Sequence, residues 1–160
     1  MNIWKKILGI TLAVGLSTGM SIAPVQADTI SILNEITDEE TTEDWAEDTS
    51  TILARSSYLH FGNAKIVKKS SNEVAISGLT QCHKQCSKVY LSIYLERKVN
   101  GSYGTYKYWN FTANNVSSLS KTIEVIVPSG TYYRVRGYHA ASRSGTKEST
   151  STLTSGIMVK

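Results

Sequence analysis

The chain has 160 residues, a formal net charge of +4 and 41% hydrophobic residues, which is enough for one folded domain. No long apolar run follows residue 27, which argues against a transmembrane anchor. The part from residue 56 to the end contains no Asp and only four Glu, which argues against a calcium site and against a hydrolase with paired carboxylates. We therefore expect no catalytic residue, no metal and no cofactor.

The first 27 residues predict a cleaved secretory signal. Lys5 and Lys6 precede an apolar run over 7–23, and Val25 and Ala27 stand at the two positions that a signal peptidase reads. Glycine, serine and threonine interrupt the run, whereas a permanent span needs about 20 predominantly apolar residues. The expected location is therefore extracellular, with a mature chain that begins near residue 28.

Charge is segregated along the rest of the chain. Residues 28–54 carry nine acidic side chains and no Lys or Arg, whereas 55–160 carry fifteen basic and four acidic ones, a difference of −9 against +11. Dense like charge and low apolar content predict a flexible acidic spacer over 28–55. The alternative is a pro-segment that lies on the basic domain and is processed after Arg55.

From residue 56 onward the apolar residues recur with period two, which predicts strands. The clearest strand has Val89, Leu91, Ile93 and Leu95 on one side. The pattern predicts an all-β domain over 56–160, an antiparallel β-sandwich of about seven strands, with a small closed barrel as the alternative. The expected strands are 58–68, 73–78, 88–97, 104–111, 118–127, 131–140 and 151–159.

Cys82 and Cys86 lie in the connection between the second and third predicted strands. An even pair of cysteines in an exported chain predicts a disulfide, although the bridge would close only a short loop. The alternative is a metal site that uses both cysteines and His83, which lacks an obvious fourth ligand nearby and would need reduced thiols.

One predicted surface is rich in Tyr and Arg. If the third, fourth and sixth strands share a sheet, their outward residues form a single face. Tyr gives rigid contact area with a hydroxyl tip, and Arg gives forked donors for phosphate or carboxylate. The same residues could serve only as cross-strand pairs that stabilise the sheet. The residues of the predicted face are Tyr90, Tyr94, Tyr106, Tyr108, Tyr132, Arg134, Arg136 and Tyr138.

Two resemblances add to this interpretation. The segment that runs from Val127 to Arg136 resembles the E-to-F corner of fibronectin type III and immunoglobulin-like domains, which implies that Tyr133 is the corner tyrosine and Val127 its apolar partner. The segments SSYLHFG (56–62), YLERKVNG (94–101) and TYYRVRGYH (131–139) are similar to a family of small, uncharacterised secreted proteins of Gram-positive bacteria. That family has no assigned activity, so the resemblance implies no functional residues.

Two functions follow from these patterns. The first is a secreted, non-enzymatic domain that binds an anionic cell-wall polymer or glycan through its basic, Tyr-rich face. The second is a secreted antimicrobial or toxin-like effector that the acidic segment masks until it is removed. Nucleic acid is not an expected partner, because no recognition motif appears and the chain is exported.

Overall fold

The computed structural model describes residues 40–51 and 56–160. Within these ranges, no helix is long and apolar enough to cross a membrane. The predicted signal peptide, residues 28–39 and Arg55 lie outside the described residues. The strands are β1 (Trp45–Thr51), β2 (Leu59–Ser70), β3 (Glu73–Val99), β4 (Ser102–Ile126), β5 (Thr131–Arg143), β6 (Thr146–Leu153) and β7 (Ile157–Val159).

All seven strands belong to one antiparallel sheet. Its order is β1-β2-β3-β5-β6, and β4 pairs with β3 while β7 pairs with β5. The hairpin of β3 and β4 has strands of 27 and 25 residues, far longer than the usual strand of about six residues. The first half of β3 pairs with β2, and its second half pairs with β5. Both partners lie along the edge of β3 that is opposite β4. The sheet curls into a half-barrel as a result.

The long hairpin bends where its register breaks. Between Gln81 and Cys86, β3 advances five residues while β4 advances only two, from Ser118 to Val116. Such extra residues form a bulge, which bends the strand and increases its twist. The bend brings the first half of β3 over the second, so that a Cβ at Gly78 would meet the Leu91 side chain. The bend therefore creates the concave inner face on which the core forms.

The period-two pattern is confirmed at the core. Val89, Leu91, Ile93 and Leu95 are all fully buried on the inner face, as their alternation predicts. Burial of one such side chain contributes about 1.5–3 kcal/mol. Their neighbours on β3 face outward, so one strand separates the hydrophobic interior from the opposite, outer face of the sheet.

The all-β, antiparallel class is confirmed, but the sandwich is not. Two separate layers would require a break in hydrogen bonding, whereas β3 and β4 run through both halves of the sheet. Seven strands were predicted and seven are observed, but they are not the same seven segments. The predicted strands 73–78 and 88–97 are parts of β3, and 104–111 and 118–127 fall in β4. The predicted last strand is divided between β6 and β7, and β1 was not predicted.

Strand β1 lies in the stretch that was expected to be a flexible spacer. It pairs antiparallel with β2 over Trp45–Thr51, so the folded domain begins well before residue 56. Three acidic residues in or next to β1 bind groups far along the chain, two of them as ion pairs. Asp44 pairs with Lys68 at 2.9 Å, Glu47 pairs with Lys65 at 3.2 Å, and Asp48 accepts from a backbone N–H at 2.7 Å. Like-charge repulsion, which favours disorder in the isolated segment, is therefore offset.

A buried histidine joins both halves of the fold. The Thr80 hydroxyl donates to the carbonyl of Tyr90 at 2.9 Å, so it accepts from Nδ1 of His139 at 3.1 Å. Nε2 of His139 then accepts from the Thr152 hydroxyl at 2.9 Å. Burial lowers the pKa of His139 to about 4, so the ring is neutral and protonated on Nδ1 at physiological pH. A Cβ at Gly62 would overlap this ring, which explains why β2 has a glycine there.

The turn before β5 has the geometry that the corner resemblance implies. Tyr133 is fully buried, and its hydroxyl donates to the carbonyl of Pro128 at 2.8 Å. Val127 is also buried. Burial raises the pKa of Tyr133, so the phenol stays protonated and remains a donor to the turn.

Candidate functional site

The outer face of β4, β3, β5 and β6 carries most of the predicted binding residues. Tyr94 lies opposite Tyr108 on one side and Arg136 on the other. Glu96 lies opposite Arg134, and alternation places Tyr90, Tyr132 and Tyr138 on the same face. We call this set the aromatic–cationic face, and its predicted members are Tyr90, Tyr94, Tyr108, Tyr132, Arg134, Arg136 and Tyr138.

Tyr106 does not belong to this face, which corrects the prediction. The pairing of β3 with β4 shifts between Leu95 and Glu96, and Thr105 rather than Tyr106 stands opposite Glu96. The extra residue turns Tyr106 toward the core, where its ring lies 6.1 Å from that of Tyr133, centroid to centroid. A bulge inside an alternating strand leaves no clear signal in the sequence, so period two alone misplaced this residue.

Glu96 organises the centre of the aromatic–cationic face. It is 7% exposed, and its two carboxylate oxygens accept from Nε of Arg134 at 2.8 Å and from Nε of Arg136 at 3.0 Å. Glu96 therefore pairs twice with arginines of β5. One carboxylate thus holds two guanidinium groups side by side, which fixes them and leaves one net positive charge.

Aromatic rings separate the cations on this face. The guanidinium of Arg134 lies 4.0 Å from the ring centroid of Tyr103, and that of Arg136 lies 4.0 Å from the ring of Tyr94. Lys147 lies over the ring of Tyr90 at 4.6 Å. Contacts of this kind stabilise exposed sites by about 0.5–1 kcal/mol.

Tyr103 and Lys147 were not among the predicted binding residues. Lys147 comes from β6, whose strand pattern the sequence did not reveal before residue 151. Tyr103 faces Lys98 beside the turn of the β3–β4 hairpin. The Asn100-Gly101 turn signal fixes that pairing and was the one clue available for it.

The face is suited to an extended anionic ligand. Tyr94 and Tyr108 stack with centroids 6.0 Å apart, and Tyr108 is 61% exposed. Flat rings next to guanidinium and ammonium groups can contact sugar rings while the cations pair with phosphates or carboxylates. The same contacts also stabilise the sheet, because Arg134, Arg136 and Lys147 each lie over a ring from another strand.

The two cysteines lie at the bend of β3. Both side chains are buried thiols, and the Cys82 thiol contacts Cys86. Burial, together with the neighbouring sulfur, raises the pKa of Cys82 to about 12. The predicted disulfide stays a prediction. His83 points to solvent and stacks on His60 at 4.2 Å, and no group of three metal-ligating side chains occurs in the described ranges.

Glu148 of β6 is a strongly perturbed carboxylate that binds the start of β2. It accepts hydrogen bonds from the Ser56 hydroxyl at 2.6 Å and from the backbone N–H groups of 57–59 at 2.8–2.9 Å. Burial acts to raise its pKa, but these four donors outweigh burial and lower the pKa to about 2. Glu148 therefore attaches the start of β2 to β6. Its oxygens are occupied by these bonds, which indicates a structural role.

The known proteins that are similar to this chain give little information about its activity. The model of one family, described as a family of unknown function (DUF6147), matches residues 34–157. No curated protein matches the sequence. Among solved structures, the chain is similar to chicken MD-1 in complex with lipid IVa, with 9% identity over 72% of this chain and 92% of that chain and a TM-score of 0.31. A likeness at this TM-score carries no argument about fold or ligand.

Proposed function

Because the chain belongs to the DUF6147 family, whose function is unknown, we propose its function from the geometry of the aromatic–cationic face. The proposed function is a secreted, non-enzymatic domain that binds an anionic polymer or glycan of the cell envelope. The observation that supports it most is the ordered alternation of cations and Tyr rings around Glu96. Secretion rests on the predicted signal peptide alone.

The side chains of this face lose little conformational entropy when a ligand binds, which favours binding. Arg134 and Arg136 are held by Glu96 and by ring stacking, so their side chains lose little further freedom when a ligand arrives. Lys88 and Lys147 flank the ring of Tyr90 at 6.0 and 4.6 Å and add charge that Glu96 does not neutralise. A polymer with regularly spaced negative charges is therefore the ligand class that this face fits best.

The masked-effector alternative has less support. It requires removal of the acidic segment, yet residues 45–51 form β1 and complete one side of the sheet. Removal would uncover the edge of β2, where Ile66 is fully buried opposite Ala46. The one observation that favours the alternative is that removal would also release Lys65 and Lys68 from their acidic partners. A start of the secreted protein near residue 28 in mass spectrometry, with no later processing, would count against this alternative.

Retention of the full-length protein on purified Gram-positive cell wall tests the proposed function. We expect retention at low salt that decreases as salt rises, because exposed charges are screened. The double variant Lys88→Gln/Lys147→Gln should bind about threefold to tenfold more weakly. The matched control Lys69→Gln/Lys84→Gln removes the same charge from exposed positions off the face and should bind about twofold more weakly at most. Equal losses in both variants, or retention that salt does not change, would refute the assignment of this face.

A further inference from the structure

A cavity of about 360 Å³ opens at the tip of the β3–β4 hairpin. It lies beside the aromatic–cationic face, because Tyr103 lines the cavity and also stacks on Arg134 of that face. The cavity is widely open to solvent, and its volume is at the lower end of small-molecule sites, about 300–1,000 Å³. The lining residues are Arg97, Val99, Ser102, Tyr103, Gly104, Thr105 and Tyr106.

Arg97 supplies a charged donor that the described chain does not satisfy. It stands between Tyr133 of β5 and Gly104 of β4 in the sheet. Its Nε is buried and has no hydrogen-bond partner in residues 40–51 and 56–160. A buried donor of a charged group without an acceptor is costly, and native proteins satisfy nearly all such groups. Within the described residues, Nε of Arg97 therefore lacks an acceptor oxygen.

The nearby carboxylates of the described chain are already engaged. Glu96 binds Arg134 and Arg136 on the outer face, and Glu40 binds Lys98. Gly104 stands opposite Arg97 and also lines the cavity, and a Cβ at Gly104 would meet no atom within 4 Å. Because Arg97 lines the cavity, its guanidinium can meet an acceptor from outside the described chain.

The walls of the cavity indicate what else the ligand carries. Tyr106 is supported from behind by the buried ring of Tyr133, so its position is fixed. Tyr rings contact the apolar faces of sugar rings and offer hydroxyls to sugar hydroxyls. The guanidinium of Arg97 matches an oxyanion, whether carboxylate or phosphate. Together these groups select a ring with one negative substituent over a neutral sugar or an inorganic ion.

We propose that this cavity, the tip pocket, binds one anionic sugar unit, with its carboxylate or phosphate on Arg97 and its ring against Tyr103 and Tyr106. The inference rests on the proposed function, since it names the unit of the polymer that the face would hold. Tyr103 connects the two surfaces, so a chain seated on the face can place one unit in the tip pocket. Binding of a single sugar unit in the tip pocket can be measured without any polymer.

The test uses soluble ligands and the Nε–Hε resonance of Arg97 in the full-length protein. Glucuronate and glucose 6-phosphate distinguish a carboxylate from a phosphate source, glucose tests the need for charge, and inorganic phosphate tests the need for a ring. We expect one or both anionic sugars to shift the Arg97 resonance and to bind at least about tenfold more tightly than glucose or phosphate.

Two variants separate the tip pocket from a change in folding. Arg97→Gln should weaken binding of the anionic sugar about ten- to a hundredfold, whereas the control Arg143→Gln should leave it unchanged. Gly104→Phe keeps Arg97 but fills the space beside it, and it should weaken binding as much. The variants must retain the unfolding midpoint of the parent within a few degrees for the comparison to count.

The outcomes distinguish the two proposals. Binding of an anionic sugar at Arg97 without retention on cell wall would support the tip pocket and refute the polymer function. Retention on cell wall without any shift at Arg97 would overturn the tip pocket alone. An Arg97 resonance that no anionic sugar moves, or a Gly104→Phe variant with unchanged affinity, would overturn it as well.

Discussion

The substitution Glu148→Gln probes the carboxylate that attaches the start of β2 to β6. In the folded protein the pKa of Glu148 is about 2, against an ordinary value of 4.5. Each pKa unit corresponds to about 1.4 kcal/mol, which sets an upper limit of about 3.5 kcal/mol on the stabilisation from the charge. Partial exposure of the side chain screens part of this, so we expect a loss of about 2 kcal/mol in the free energy of unfolding at pH 7.

The pH dependence gives a sharper test than the loss itself. Because the folded-state pKa is lowered, the stabilisation is fully present above about pH 4.5 and is lost as pH falls toward 2. Urea unfolding, followed by Trp fluorescence, should therefore show a difference of about 2 kcal/mol between parent and Glu148→Gln at pH 7 and little difference near pH 2. The control Glu124→Gln changes an exposed carboxylate and should have no effect at either pH. A difference that persists undiminished near pH 2 would refute the role of the charge.

Three further predictions concern the interior. Gly62→Ala should lower the free energy of unfolding by about 3 kcal/mol, because its Cβ would overlap the His139 ring. The control Gly104→Ala meets open space and should change that free energy by less than about 0.5 kcal/mol. Similar values for the two variants would contradict the close approach of Gly62 to His139. The imidazole of His139 should stay neutral in NMR titrations until about pH 4, and stability should fall between about pH 6.5 and 4, because the unfolded chain takes up the proton first; titration near pH 6.5 would exclude the buried network. In reduced protein, iodoacetamide at pH 8 should modify Cys82 at least about tenfold more slowly before than after unfolding in urea, while a mass lower by two hydrogens in exported protein would identify the predicted disulfide.

Local pattern was sufficient for some parts of this fold. The alternation at Val89, Leu91, Ile93 and Leu95 predicted a strand with one buried side, because side-chain direction alternates wherever the backbone is extended. For the same reason, four residues of β5 were assigned to one face: Tyr132, Arg134, Arg136 and Tyr138. Both predictions depend only on neighbours within one strand, which is the information that a single sequence contains.

Other features depend on contacts between distant segments. Strand β1 pairs with β2, where Lys65 and Lys68 neutralise acidic residues about twenty positions earlier, which the charge run itself hides. Glu148 binds donors about ninety positions away, so nothing near it marks its role. Tyr106 left the predicted face because one extra residue in β4 reverses the alternation. A pattern in one strand records neither its partner nor a change of register.

The uninterrupted passage of β3 and β4 through both halves of the sheet has a consequence for how the molecule opens. A fold made of two independent layers can separate along their interface and leave each layer intact. Here any such separation must straighten or tear the hairpin, and it would also strip His139 of its partners on β3 and β6. Amide protons at the two ends of β3 should therefore exchange with solvent at comparable rates, through a single cooperative opening of the whole domain.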